Sequence, residues 1–349
     1  MAKSINASDI AKIAGVSRST VSRVINNYGN VTEETREKVL EVIKKFNYVP
    51  HASAQMLAGK KSIIIGLFII DTKDEKDYNK MTTSTYFSPF TNAVIDEANK
   101  RHYKILISII NNKQDFKNAK TLFYNKTISG GIFIGNNNNE IHIKEIINNG
   151  FKVAIIEQET GLKSFSECII VNSDSFWGAY KSTKYLIDLG HKKIAHICGD
   201  MKHLTASLKL KGYKQAIIDS GIEIDEDLIF LGDYTGESGY IIAKEIAKSK
   251  KPTAIFVAND GMTIGVYKAF KELGIRIPED ISIIGFDNIE IARYLQPSLT
   301  TVKVPFFEMA HLASKNLFQA IENKNRLDSC TTYNVPVKMI IRDSCMKQK

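Results

Sequence analysis

The stretch AGVSRSTVSRVINN, residues 14–27, combines an apolar stripe with a band of small hydrogen-bonding side chains. If Val21, Val24 and Ile25 face inward on a helix, then Arg18, Ser19, Ser22 and Asn26 fall on its outer side, with Arg23 one turn beyond Ser19. Serine and asparagine donate and accept. Arginine offers a planar fork that bonds two acceptors at once. Such a face suits phosphate oxygens and the edges of nucleobases. The competing reading is a solvated outer face, but those are rich in Glu and Lys paired four residues apart. No acidic residue occurs from Ala11 to Gly29, so nothing here repels phosphate.

Three short helices over residues 6–47 must hold that face. Asn6 caps the first, with Asp9 reaching back to it. Its apolar positions are Ile10, Ile13 and Ala14. Gly15 permits the left-handed residue of a tight turn. Ser17 caps the second helix, and Tyr28-Gly29-Asn30 breaks it. Thr32 caps the third, which opens with Glu33 and Glu34 at the positive end of its dipole. Val39, Leu40, Ile43 and Phe46 form its expected buried stripe. Helix, glycine turn, helix is the helix-turn-helix pattern.

Charge is distributed accordingly. Residues 1–61 hold ten Lys/Arg against five Asp/Glu, more than half of the chain's net charge of +9. A length of 349 residues predicts two or three domains with ample core. The four cysteines are widely spaced and form no zinc pattern, which predicts reduced thiols and a cytoplasmic protein. MAKSINASDIAK lacks the apolar core of a signal peptide, and no apolar run is long enough to span a bilayer.

Pro50 closes the head. HASAQMLAGKK, residues 51–61, reads as a short helix with a basic, flexible end. From Ser62 apolar strand-like runs alternate with amphipathic helices: SIIIGLFII, YKILISII, GGIFIG, FKVAIIE, then KIAHIC, TAIFVA and ISIIGFD. Such alternation, in two successive sets, predicts two subdomains, each a parallel sheet covered by helices. Ligands in such folds sit beyond the carboxyl ends of the strands. The polar stretch 71–88 is long for a connection and points to function or disorder. The asparagine-rich run 135–139 reads only as a loop.

Catalytic and cofactor chemistry finds no footing. The sequence has no GxxxxGK[ST], no GxGxxG after its first strand, no HExxH and no GxSxG. The seven histidines lack ligand spacing. His191 in LGHKKI reads as a structural hydrogen-bonding residue, and Trp177 as packing. No catalytic residue, metal or cofactor is expected.

ASDIAKIAGVSRSTVSRVIN, VTEETREKVLEVIKKFNYVP and SAQMLAGKKS resemble the DNA-binding head and hinge of the lactose-repressor (LacI/GalR) family. The similarity continues in YLIDLGHKKIAHICG, in TAIFVANDGMTIGVYKAFKELGIRIPEDISIIGFDN and in PSLTTVKVP, so it covers nearly the whole chain. The resemblance implies an all-α helix-turn-helix head (1–50), a hinge helix (51–61) and an α/β sensor like the periplasmic binding proteins (62–349). The sensor's N-subdomain would comprise about 62–172 plus 304–332, and its C-subdomain about 173–303 plus 333–349. Arg18 and Ser19 would read bases, with Arg23, Ser22 and Asn26 beside them, and Leu57 would wedge into the minor groove and kink the duplex.

By the same resemblance an effector would meet Phe90, Glu157, Tyr234, Asn259 and Asp287, although Asp287 and Asn259 could instead cap the helices that follow them. The family usually carries an arginine where this chain has Lys209, which keeps the charge and loses the fork. The implied partners are pseudo-palindromic double-stranded operator DNA, a sugar or sugar derivative, and a second copy of the chain. No leucine-heptad tail follows, so a dimer is expected rather than a tetramer. The expected function is repression of a carbohydrate-utilisation operon, relieved by effector. The alternative is a co-repressed or global regulator whose purine-like ligand or partner protein strengthens DNA binding.

Overall fold

A computed structural model describes residues 5–25, 28–46, 48, 63–70, 87–135, 140–158, 168–248, 252–322 and 330–348. Asn26, the hinge with Leu57, residues 71–86 of the long polar stretch and 136–139 of the asparagine run lie outside the described residues. The chain divides into two compact units, Met1–Ser62 and Ile63–Lys349.

The first unit contains α1 (Ala7–Ala14), α2 (Arg18–Ile25) and α3 (Glu33–Lys45). Asn6 and Asp9 form a reciprocal capping box at α1, and Gly15 closes it at φ 68°. The Ser17 hydroxyl accepts the Thr20 amide at 3.1 Å and so caps α2. The core is Ile10, Ala11, Val21, Val24, Val39 and Tyr48. Three apolar expectations are corrected here. Leu40 and Phe46 are 47% and 40% exposed, and Ile13 is 50% exposed. Three short helices enclose only a narrow seam, and Val39, Val42 and Ile43 fill α3's share of it. Thr32 precedes α3 as expected, but its hydroxyl donates to Thr35 Oγ1 at 2.8 Å rather than capping the backbone.

The second unit is built on two parallel sheets. The larger contains β1 (Ile64–Ile70), β2 (Lys104–Ile110), β3 (Gly130–Ile134), β4 (Lys152–Ile156), β5 (Ile169–Ser173) and β11 (Thr331–Val335), in the order β11-β5-β4-β3-β1-β2. The smaller contains β6 (Ile194–Cys198), β7 (Ile229–Leu231), β8 (Ala254–Val257) and β9 (Ser282–Ile284), in the order β7-β6-β8-β9. β10 (Thr301–Lys303) and β12 (Lys338–Ile340) pair antiparallel. Strands β3 and β5 are buried along their whole length and β4 from Val153 onward, which is why they read as continuous apolar runs rather than alternating ones.

Helices cover both sheets. α4 (Phe87–Lys100), α5 (Lys113–Tyr124), α6 (Glu140–Asn148) and α11 (Phe306–Glu322) serve the larger one. α7 (Ser175–Asp188), α8 (Leu204–Asp219), α9 (Gly236–Lys248) and α10 (Asp260–Leu273) serve the smaller. α9 and α10 cross so closely that a Cβ on Gly265 would overlap the Gly236 carbonyl. Among the described residues no helix is long and apolar enough to cross a membrane.

The expectation of four thiols is also corrected. Cys168 and Cys330 form a disulfide, while Cys198 and Cys345 are free. The two paired cysteines are 162 residues apart in sequence but only 4.5 Å apart at Cα. They immediately precede β5 and β11, which are parallel neighbours, and only the sheet reveals that proximity. His191 is structural as expected, bonded to Thr253 Oγ1 at 2.9 Å and to the Met346 carbonyl at 3.0 Å. Trp177 is half exposed and packs edge-on against Phe176 and Tyr180 of its own helix.

Candidate functional site

In the second unit the residues beyond the carboxyl ends of the strands share an unusual backbone. Among the described residues six non-glycine residues have positive φ. Two, His102 and Lys126, lie in turns after α4 and α5. The other four follow strands: Glu157 after β4 (φ 61°), Tyr234 after β7 (φ 71°), Asp287 after β9 (φ 111°) and Asn288 beside it (φ 57°). Such conformations cost about 1–3 kcal/mol each and persist where surrounding structure enforces them. The enforcing contacts are visible. Asp287 N–H donates to the Val302 carbonyl at 2.8 Å, and Glu157 N–H to the Val171 carbonyl at 3.0 Å. A Cβ on Gly199, just past β6, would overlap the Tyr234 ring, so only glycine lets that ring lie there.

The side chains form a buried electrostatic cluster joining the two sheets. Glu157 Oε1 accepts the Ser173 amide at 3.2 Å, whereas its Oε2 is buried and has no hydrogen-bond partner. Burial pushes its carboxyl up to about 7, opposed by the Ser173 hydrogen bonds and the Lys209 charge. Asp287 is only 9% exposed, and its carboxyl has no hydrogen-bond partner among the described residues. Burial pushes it too up to about 7, and Lys209 pulls the other way. Lys209, on α8, is buried. Its Nζ donates to the Ala258 carbonyl at 2.9 Å and lies 3.9 Å from the centroid of the Phe286 ring. Burial lowers its pKa, while Asp287, Glu157 and Asp260 raise it.

The remaining expected residues divide. Tyr234 is half buried, its hydroxyl 3.2 Å from Thr205 Oγ1, and burial raises its pKa. Its ring meets the edge of His203 with centroids 5.9 Å apart. Asn259 caps α10: its Oδ1 accepts the Met262 amide at 2.8 Å and its Nδ2 donates to the Tyr234 carbonyl at 3.2 Å. The helix-cap reading therefore describes its side chain. Phe90 is fully buried in the apolar core, edge-on to Phe306 at 5.1 Å, and its ring is not a free surface for a ligand.

In the first unit, Arg18, Ser19, Ser22 and Arg23 are all exposed, opposite buried Val21 and Val24. Arg18 and Arg23 make no ion pair among the described residues. The Ser19 hydroxyl is 2.7 Å from Ser17 Oγ, which also meets Thr20 Oγ1 at 2.9 Å.

The comparisons with known proteins match both units. Residues 7–51 fit the model of bacterial regulatory proteins of the lacI family, and residues 183–345 fit a periplasmic binding protein-like domain. Catabolite control protein A of Priestia megaterium is 33% identical over 340 residues, covering 96% of this chain and 98% of that protein. The ribose operon repressor of Haemophilus influenzae is 31% identical over 344 residues, 98% of each chain. The chain belongs to the lacI family of bacterial regulatory proteins. Its structure is similar to that of the lac repressor dimer bound to operator and the anti-inducer ONPF, with TM-score 0.80, 25% identity, and coverage of 99% of this chain and 100% of that one.

This buried cluster of the lacI-family chain also depends on residues that sequence reasoning passed over. Asp260 is fully buried behind Asp287. Its Oδ1 accepts the Thr301 hydroxyl at 2.7 Å and its Oδ2 the Ile289 amide at 2.9 Å, tying the loop after β9 to β10. Burial, reinforced by the Asp287 charge, pushes its carboxyl up to about 8. A Cβ on Gly285 would overlap that carboxylate. Arg342 buttresses the same loop through Asn288 Oδ1 and the Leu299 carbonyl, each at 2.7 Å. In sequence Asp260 looks like an ordinary acid in a helix's first turn. Its distinguishing partners lie 29 and 41 residues away.

Proposed function

We propose that this lacI-family regulator represses a carbohydrate-utilisation operon and is released from DNA by a hydroxylated small molecule held in the cleft. It acts in the cytoplasm as a homodimer through two heads on a pseudo-palindromic operator, in keeping with two-fold symmetry. The head spans about 1–50, the hinge 51–61 and the sensor 62–349. Arg18 and Ser19 read bases; Ser22, Arg23 and Asn26 add base or phosphate contacts; Leu57 wedges the minor groove. Asp287 and Glu157 bond the effector, Tyr234 offers a ring face, and Lys209 balances their charge. Phe90 and Asn259 shape the walls from behind.

The observation that carries the ligand part of this reading is the Asp287 carboxyl. It is nearly buried, unpartnered, and held on a strained backbone at a strand end. A carboxylate so placed accepts two hydroxyls of a polyol. Its titration against operator is the test. Effector is expected to weaken operator binding in the parent protein, and by linkage operator weakens effector binding equally. Asp287→Ala is expected to abolish that response while DNA binding persists, and an intact response would remove Asp287 from the site. If the ligand instead tightens operator binding, induction is overturned in favour of co-repression.

A further inference from the structure

Cys168 and Cys330 share one bond but differ in access. Cys168 is fully buried, while Cys330 is partly exposed. Each precedes a strand, and the Thr331 amide donates to the Cys168 carbonyl at 2.8 Å, so the bridge sits at the start of the β5–β11 ladder. β5 is buried throughout. β11 is an edge strand whose residues alternate between partly exposed and exposed. Tyr333 and Val335 pack on the core, and the Tyr333 hydroxyl donates to Asn316 Oδ1 of α11 at 3.1 Å. A lightly held edge of this kind opens before the rest of a sheet.

Folding has little need of the bridge. The sensor has extended apolar cores on both sheets, whereas disulfides concentrate in domains too small to build one. Cys198 and Cys345 remain thiols. Burial pushes Cys198 up to about 12 and Cys345 up to about 11, which keeps both inert. A bacterial DNA-binding regulator also works where cellular thiols reduce accessible disulfides.

Position gives the bridge leverage. β5 and β11 both leave the larger sheet at their carboxyl ends: β5 runs into α7 on the smaller sheet, and β11 runs through residues 336–337 to β12. The Asp174 amide donates to the Val335 carbonyl at 3.0 Å where they leave. The strands of the larger sheet are parallel, so β1 starts at the same end as the bridge. β1 is the first strand after the DNA-binding unit.

We propose that Cys168 and Cys330 form a reversible thiol redox site, opened by cellular thiols or dithiol proteins at Cys330 and closed by low-molecular disulfides, and that its state tunes DNA affinity. In reduction a thiolate attacks Cys330 Sγ, the bond to Cys168 breaks, and Cys168 leaves with the electron pair and takes up a proton. A second thiolate of the reductant attacks the mixed disulfide, frees the Cys330 thiol and leaves the reductant as a disulfide. Two electrons and two protons pass to the protein, and oxidation by a disulfide reverses each step. The oxidised pair holds β5 and β11 as one body at the end where β1 starts. The reduced pair lets β11 open from its amino end.

The full chain, equilibrated in glutathione buffers from reducing to oxidising, is quenched in acid, denatured and alkylated, and its thiols are counted by mass spectrometry. Cys168 and Cys330 are expected as thiols in reducing buffer and as a pair in oxidising buffer. Cys168→Ser is expected to take up glutathione at Cys330, whereas Cys330→Ser takes up none at buried Cys168. Affinity is read on a duplex that the oxidised protein selects from a random pool. Reduction is expected to weaken it by about fivefold or more, and reoxidation to restore it. Cys330→Ser is expected to match the reduced parent and to ignore glutathione. No exchange in the folded chain overturns the proposal. So does equal affinity in both states, which makes the pair a structural bridge only. Loss of the helical circular dichroism signal on reduction overturns it in the same way.

Discussion

The head and the cleft place their polar residues by opposite means. In the head, Arg18, Ser19, Ser22 and Arg23 share one helix, stand in solvent, and buried Val21 and Val24 behind them fix their direction. Among the described head residues no carboxylate is buried. In the cleft, Glu157, Lys209, Asp260 and Asp287 come from a strand end, two helices and another strand end, and all are buried. Three of the four are acids, and Glu157 and Asp287 lie on strained backbone. A flexible, solvated face suits a long polyanion approached from outside, where arginines lose little by waiting in water. A dry, pre-set cluster suits a small ligand, whose few bonds must each count.

The largest contrast is expected in pH dependence. Asp287 and Glu157 are pushed up to about 7 and Asp260 to about 8. Raised carboxyls bind more protons in the folded state than in the unfolded one, so sensor stability falls as pH rises from about 4.5 to 8. Displacing one carboxyl's titration by a pH unit corresponds to about 1.4 kcal/mol, and three groups contribute together. Urea unfolding followed at Trp177, which lies in the sensor, checks this; a sensor midpoint that rises across the window would break the contrast. The head transition, followed by far-UV circular dichroism, is expected to change less.

Asp260→Ala comes next. It leaves the Thr301 hydroxyl and the Ile289 amide without an acceptor in a dry site, at a cost of about 3 kcal/mol to the sensor. The same urea experiment reads it, and a loss below about 1 kcal/mol would mean that the loop after β9 is held by other contacts.

Smaller effects belong to the head. Arg18→Ala is expected to cost about 1–3 kcal/mol and to relax selectivity at one operator position. Binding competitions across single-base operator variants measure this, and equal loss on all sequences would make Arg18 a phosphate contact. Least of all, Ser17→Ala should lower head stability by about 1 kcal/mol, because Ser17 caps α2. Thr32→Ala should cost less than about 0.5 kcal/mol, since Thr32 makes no side-chain cap. Equal costs in thermal melts would show that cap geometry does not separate the two helices.

Legibility followed the same division. The α1 capping box, the Gly15 turn and the inward stripe of α2 were readable because each is an interaction within a few residues. The alternation of strand and helix was readable for the same reason, since burial of whole strands imprints continuous apolar runs. The exposure of Leu40 and Phe46 on α3 is not legible in the sequence, because a small head buries fewer positions than its helix offers. The cleft was legible as a location, beyond the strand ends, but its internal division of labour was not. Nothing local distinguishes Asn259, whose side chain is a cap, from Asp287, whose carboxyl is free.

The sequence by itself determined which segments become helices and strands, and which face of α2 presents arginine and serine. Local sterics, capping and hydrophobic periodicity act over a few residues, and a linear reading contains them. Only the tertiary structure decided that Cys168 meets Cys330, that Asp260 clamps the loop beneath Asp287, and that Lys209 turns to the Ala258 carbonyl and away from a free position. Those outcomes depend on which strands become neighbours and on how much water each charge loses, and both are properties of the packed chain.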